Sequence, residues 1–267
     1  MRRHLRHLLN TPDIEVWPAH LLRARSNQDA RLLARASAVL RRKRDRLYLA
    51  AEIPEGLMPL RPRLAHEPGI DDALDALSRF HEPMRRGLDV VPSLPLHRLQ
   101  ERLQQLGVDA DAYEAETGLA LVAEPAWLAF AGFDRYRRTL WLDVQAANAW
   151  QHLRDDALRD GIVLEAISGY RSHDYQLGIF ERKRARGLEV GEILTVNAAP
   201  GYSEHHSGQA LDIGTPDEPA AEASFEATPA FAWLQSNAAG HGFGMSYPRD
   251  NRHGIVYEPW HWRWSPR

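Results

Sequence analysis

The stretch SEHHSGQALD, Ser203–Asp212, decides how the carboxy-terminal half of this chain folds. Gly208 breaks any continuous helix through it, because glycine in a helix interior is about 1 kcal/mol worse than alanine and readily turns the chain instead. His205 and Asp212 therefore meet only if a loop folds back onto the start of the strand ALDIG. That is half of a metal site. A catalytic zinc ion takes three ligands from protein and leaves a fourth position to water, and this run offers two. The chain has no cysteine, so any metal must be held by His, Asp or Glu, and disulfides and thiol chemistry are excluded.

Working outward, the run YEPWHWRW, Tyr257–Trp264, supplies the remainder. His261 is the candidate third ligand, and Glu258 is the candidate carboxylate that handles protons. The pairing has a reason: a metal brings the pKa of bound water from 15.7 to about 7, and a carboxylate nearby then accepts its proton and passes it on. In an ideal strand Glu258 and His261 would face opposite ways, since three residues is an odd step. Pro259 donates no ladder hydrogen bond and keeps Glu258 extended, so a bend is expected here. Trp260, Trp262 and Trp264 form a period-two stripe that reads as core or cleft wall. Upstream, AISGYRS (Ala166–Ser172) reads as a strand ending at Gly169, which leaves Arg171 at the start of the next helix as a bidentate clamp for a carboxylate. In a chain with 31 arginines and only two lysines, Lys43 and Lys183, a single arginine carries weight only in company.

The elements around these motifs point to an α+β fold. LALVAE and WLAFAGF read as strands, RRTLWLD as a hairpin partner, VQAANAWQHLRDDALRDG as a helix stopping at Gly161, and IVLEAIS as a strand. HDYQLGIFERKRARG reads as a helix capped by Ser172, and TPAFAWLQSNAAGHG as another, closed by Gly240 or Gly242. The expectation is a small antiparallel sheet flanked by helices. The first half reads differently. SNQDARLLARASAVLRRKRDRLYLAA has helical spacing over about 25 residues, with Ser26 as cap and Asp29 three on. EIPEGLMPLRPRLAHEPG reads as a loop, followed by helices in DDALDALSRFHEPMRRG, interrupted near Pro83, and PLHRLQERLQQLG. Residues 1–115 are thus expected to be a helical accessory region, and 116–267 the domain that carries the constellation.

Net charge is −3, so nothing in the whole chain calls for nucleic acid. Residues 1–50 hold 12 Lys or Arg against 4 Asp or Glu, and the remainder 21 against 32. The basic face of the expected first helix reads as solvated surface; nucleic-acid binding there is the competing reading. No apolar run reaches the roughly 7 to 15 residues of an export signal or the roughly 20 of a membrane helix. A cytoplasmic location is the expectation, or a periplasmic one if translation starts upstream of Met1.

SGYRS with Gln176, PGYSEHHSGQALDI, WLQSNAAGHGFGMSYP and YEPWHWRW, in this order over residues 118–265, resemble the D-alanyl-D-alanine carboxypeptidase family of VanY type, zinc peptidases that trim bacterial cell-wall peptides. The resemblance implies one zinc ion per chain held by His205, Asp212 and His261, with Glu258 as general base. It implies that Arg171 binds the substrate carboxylate and that Ser203 and Gln176 line the same cleft. It assigns the ligand position to His205 and gives His206 no ligand role; His173 and His253 are expected to be surface histidines. Peptidoglycan stem peptides or their precursors are the implied substrates, with no nucleic acid and no membrane span. An L,D-carboxypeptidase, a D,D-dipeptidase and a wall-peptide-binding module without catalysis are the alternatives.

Overall fold

The structure, a computed structural model, describes residues 6–24, 26–81, 91–96 and 98–266. Its described residues fall into two units: Met1–His97 with Pro125–Phe130, and Arg98–Glu124 with Ala131–Arg267.

The first unit is built on strands, which corrects the expected helical accessory region. β1 (His7–Asn10) and β2 (Ile14–Pro18) lead through α1 (Asn27–Leu33) to β3 (Ala38–Arg42), β4 (Tyr48–Ile53) and β5 (Gly56–Pro59), and α2 (Ile70–His81) follows. With β6 (Trp127–Phe133) these form an antiparallel array in the order β5-β4-β3-β2-β1-β6. The expected 25-residue helix ends after seven residues, although Ser26 does cap it, its Oγ accepting from the Asp29 amide at 3.0 Å. The rest is the β3–β4 hairpin. Its two sides are both covered: Leu40 faces a core with Leu9, Val16 and Ile70, Ala73 and Leu77 of α2, while Val39 faces Ala19, Ala51 and Leu32 and Leu33 of α1. A strand buried on both faces shows no alternation of polar and apolar residues, so its leucines and valines pass for a helical stripe. The basic side chains of the expected helix face are dispersed along the hairpin: Arg41 pairs with Glu15 at 2.6 Å, and Arg42 with Asp45 at 2.5 Å and Glu67 at 2.7 Å. The interruption expected near Pro83 lies outside the described residues.

The second unit opens with α3 (Leu99–Leu106) and α4 (Ala110–Thr117), so the boundary falls before these helices and not after residue 115. LALVAE, expected as a strand, has no regular structure. β7 (Thr139–Leu142), α5 (Val144–Arg159), β8 (Glu165–Ser168) and α6 (His173–Arg184) come where the sequence places them; α7 (Val190–Leu194) was not foreseen. β9 (Ala210–Gly214), α8 (Pro229–Asn237), β10 (Phe243–Met245) and β11 (His261–Trp264) complete the chain. The expected α+β class with antiparallel pairing holds: a four-stranded sheet runs β10-β11-β9-β8, each neighbour antiparallel. Phe243, Trp262 and Leu211 are buried in it, and Tyr113, Leu103, Ala199, Tyr202 and Tyr247 form a second cluster beside it. No described helix is long and apolar enough to cross a membrane.

Candidate active site

The sheet register builds the site. Asp212 of β9 lies directly opposite His261 of β11, and directly opposed residues of an antiparallel pair share one face. His205 arrives from a 3-10 turn, Glu204–Ser207, that ends on Gly208 at φ +72°, the left-handed region that suits glycine, and the chain then enters β9. The fold-back expected between His205 and Asp212 is this turn. Ligand-type atoms of His205, Asp212 and His261 all lie within 4.8 Å of one another.

The donor set fits a metal ion. The His205 Nδ1–H donates to the Gly169 carbonyl at 2.7 Å, which leaves Nε2 as the lone-pair nitrogen. That Nε2 is buried without a hydrogen-bond partner, 3.3 Å from the Asp212 Oδ1. Two acceptors facing each other in a dry site repel unless a cation lies between them. Burial, with Arg171 nearby, pushes the His205 pKa down to about 4, so the imidazole is neutral and its lone pair available. Burial opposes ionisation of Asp212, but His205 and His261 hold its carboxyl well below the usual range. In His261, Nε2 points at the Glu204 Oε2 (2.8 Å) and Nδ1 at the Asp212 Oδ1 (3.1 Å). Burial lowers and the two carboxylates raise its pKa, to about 10, so Nδ1 carries a proton where a cation would sit.

Glu258 stands outside β11. The His261 amide donates to the Glu258 carbonyl at 3.1 Å, closing a turn with Pro259 at its second position. This is the expected bend, and it sets the Glu258 Oε2 3.9 Å from His261 Nδ1, on the same side as Asp212. Burial raises its pKa to about 7, offset in part by His261 and Arg171. Trp262 and Trp264 are buried in the sheet, while Trp260 lines the cleft.

The cleft, about 330 Å³, also takes in Arg171, Gln176 and Ser203. β8 shifts register between Ala166 and Ser168 and stops before Gly169, and the Arg171 amide donates to the His205 carbonyl at 3.2 Å. The Arg171 Nε and Gln176 Oε1 are buried without hydrogen-bond partners. His206 does not reach the triad: its Nδ1–H donates to the Arg171 carbonyl (2.7 Å) and its Nε2 accepts from the Gly201 amide (3.1 Å), so it fixes the segment that presents the guanidinium. His173 is buried, not on the surface, because its ring packs edge-on against His206 and its Nε2–H donates to the Val122 carbonyl at 2.8 Å. His253 is half-buried, its Nδ1–H donating to the Thr117 carbonyl.

Sequence reasoning missed Glu204. Its carboxylate accepts from His261 and from the Ser246 hydroxyl (2.6 Å), and Arg263 lies at 3.2 Å. Burial works against its charge, yet the His261 hydrogen bond brings its pKa down to about 2. A carboxylate behind a ligating histidine fixes the ring and its tautomer. The signal was a lone acidic residue beside His205, with nothing local to say that it reaches His261.

Residues 139–267 match the family described as VanY: D-alanyl-D-alanine carboxypeptidase. The chain is 36% identical over 141 residues to the Bacillus subtilis protein YodJ, covering 49% of each, so it spans about half that relative's length. It is 31% identical over 148 residues to the bifunctional D-Ala-D-Ala dipeptidase and D-Ala-D-Ala carboxypeptidase VanXYC of Enterococcus gallinarum, covering 53% of this chain and 75% of that protein. A solved structure of the vancomycin resistance D,D-pentapeptidase VanY in complex with Zn(II) is 30% identical, with coverage of 46% of this chain and 72% of the other and a TM-score of 0.40. With three quarters of a relative matched at this identity, and with the motifs on one sheet face, this chain belongs to the VanY family of D-alanyl-D-alanine carboxypeptidases.

Proposed function

We propose that this protein is a zinc-dependent carboxypeptidase that hydrolyses the bond before a C-terminal D-alanine in peptidoglycan-type peptides. The observation that carries the reading is the pair of imidazole nitrogens, His205 Nε2 and His261 Nδ1, set against one oxygen of Asp212 with the Glu258 carboxylate beside them. His205, Asp212 and His261 would hold the ion. When bound, zinc supplies a Lewis acid for the scissile carbonyl and acidifies a water molecule.

The chain's own groups do the rest. Arg171 binds the terminal carboxylate, since its buried Nε has no hydrogen-bond partner of its own. Gln176 donates through Nε2 to the Ala198 carbonyl at 2.8 Å, which holds its Oε1 as a buried acceptor for a peptide N–H. Ser203 adds a hydroxyl to the same wall. Glu258 takes a proton from water at Oε2 and returns it to the leaving amine, a role suited to a carboxyl group with a pKa of about 7.

The test is incubation of zinc-loaded protein with tripeptide, tetrapeptide and pentapeptide stems, and identification of the released product by mass. Release of D-alanine from the pentapeptide is the expected result. Release from the tetrapeptide alone makes the protein an L,D-carboxypeptidase, release of a dipeptide makes it a D,D-dipeptidase, and no release from any stem makes it a binding module.

A further inference from the structure

The chain uses arginine for nearly all its basic residues, 31 against two lysines. One lysine, Lys43, is buried in the first unit, and the other, Lys183, lines the candidate active-site cleft. It stands on α6 seven residues beyond Gln176, two helical turns and about 10 Å further along the same face. The Lys183 ammonium donates to the Asn197 Oδ1 at 2.5 Å and forms no ion pair with any described residue. Burial lowers its pKa, and the charges of Glu258 and Arg171 act on it across the cleft.

The charges of the cleft are uneven once the ion is counted. Arg171 and Lys183 face Asp212 and Glu258, which cancels, and Glu204 behind His261 is answered by Arg263 at 3.2 Å. An ion at His261 Nδ1 would take the place of the proton there, so a divalent ion leaves two positive charges for the substrate to answer. A peptide with only its terminal carboxylate answers one. We infer that Lys183 is a specificity-determining residue that receives a second carboxylate of the substrate, on the side chain of a residue on the amino side of the bond cut. The position follows from the carboxypeptidase reading, on which this inference rests. With the terminal carboxylate on Arg171 and a single D-alanine leaving, any further carboxylate belongs to the part of the peptide before the bond. Lysine fits because it is a compact point charge with three donors, of which Asn197 takes one, whereas the arginine fork would demand a planar bidentate partner.

The experiment uses two pentapeptide stems ending in D-alanyl-D-alanine that differ only in whether the side-chain carboxyl of the residue before that dipeptide is free or amidated. Their binding to zinc-loaded Glu258→Gln protein is measured by calorimetry, with Lys183→Met and Lys183→Arg made in the same background. The free acid is expected to bind about tenfold more tightly than the amide, the scale of one charge-assisted hydrogen bond in a partly exposed cleft. Lys183→Met should erase that preference and Lys183→Arg should restore part of it. Equal affinities for the two peptides, no binding of either, or an equal loss on both in Lys183→Met would overturn the inference, the last marking Lys183 as a structural partner of Asn197. Cleavage by the protein with Glu258 intact is read separately. Failure to cut either peptide removes the carboxypeptidase reading, while the binding preference still stands or falls by itself.

Discussion

His261 sits between two carboxylates whose pKa values are shifted in opposite directions. Glu204 is held charged, near pKa 2, and accepts from Nε2; Glu258 is held near 7 and lies beyond Nδ1. Glu258→Gln should therefore keep zinc binding, measured by metal analysis, while the turnover rate drops by roughly 10² to 10⁴, the usual contribution of a general base. Glu204→Gln should do the reverse. It keeps an acceptor but loses the charge behind His261, so on the proposed zinc reading the affinity for zinc, measured by competition with a chelator, should fall about 10- to 100-fold. The pH dependence follows from the sign of the Glu258 shift. A base works only when ionised, so activity is lost as pH falls through its pKa, and the positive charge of a bound ion favours the ionised form. The acid limb of kcat/KM should thus lie below pH 7 and be absent from the residual activity of Glu258→Gln.

At the scale of elements, the site depends on Gly169, the residue after β8. A Cβ there would lie 2.7 Å from Leu140 Cδ1 and 3.0 Å from the Trp141 carbonyl oxygen, and relief requires moving the backbone whose own carbonyl accepts from His205 Nδ1. Gly169→Ala should cost about 1–3 kcal/mol of stability, as overpacking does, and should weaken zinc binding as well; thermal unfolding and zinc titration check the two effects. The elements around this glycine were legible because their ends are written in local chemistry. Ser172 caps α6 by accepting from the Tyr175 amide, and Asp143 caps α5 in the same way. The β3–β4 hairpin was not legible, because its left-handed turn residue is Arg46 at φ +59°, where glycine or asparagine would have marked it. LALVAE misled for the opposite reason: its apolar residues serve a loop whose Val122 and Glu124 backbone and carboxylate atoms hold His173, a long-range role without a period. Asp212 and His261 could be named from their motifs, but their opposition across β9 and β11 is a matter of register, which depends on the whole sheet.

For the whole molecule, the division into units makes a separable prediction. Every residue that lines the cleft belongs to the second unit, whereas Ile14, fully buried, belongs to the core under α2 in the first. Ile14→Ala removes methyl groups from a site that cannot collapse fully, and large-to-small changes of this kind cost about 2–5 kcal/mol. That loss should appear in calorimetric unfolding of the protein. Zinc affinity and the identity of the released residue, both measured at 25 °C on folded protein, should remain as they were, because no group that touches the ion or the peptide draws on that core. Glu258→Gln gives the opposite pattern, an unchanged unfolding profile with a lost turnover. A drop in zinc affinity for Ile14→Ala equal to that of Glu204→Gln would mean that the first unit helps to shape the metal centre.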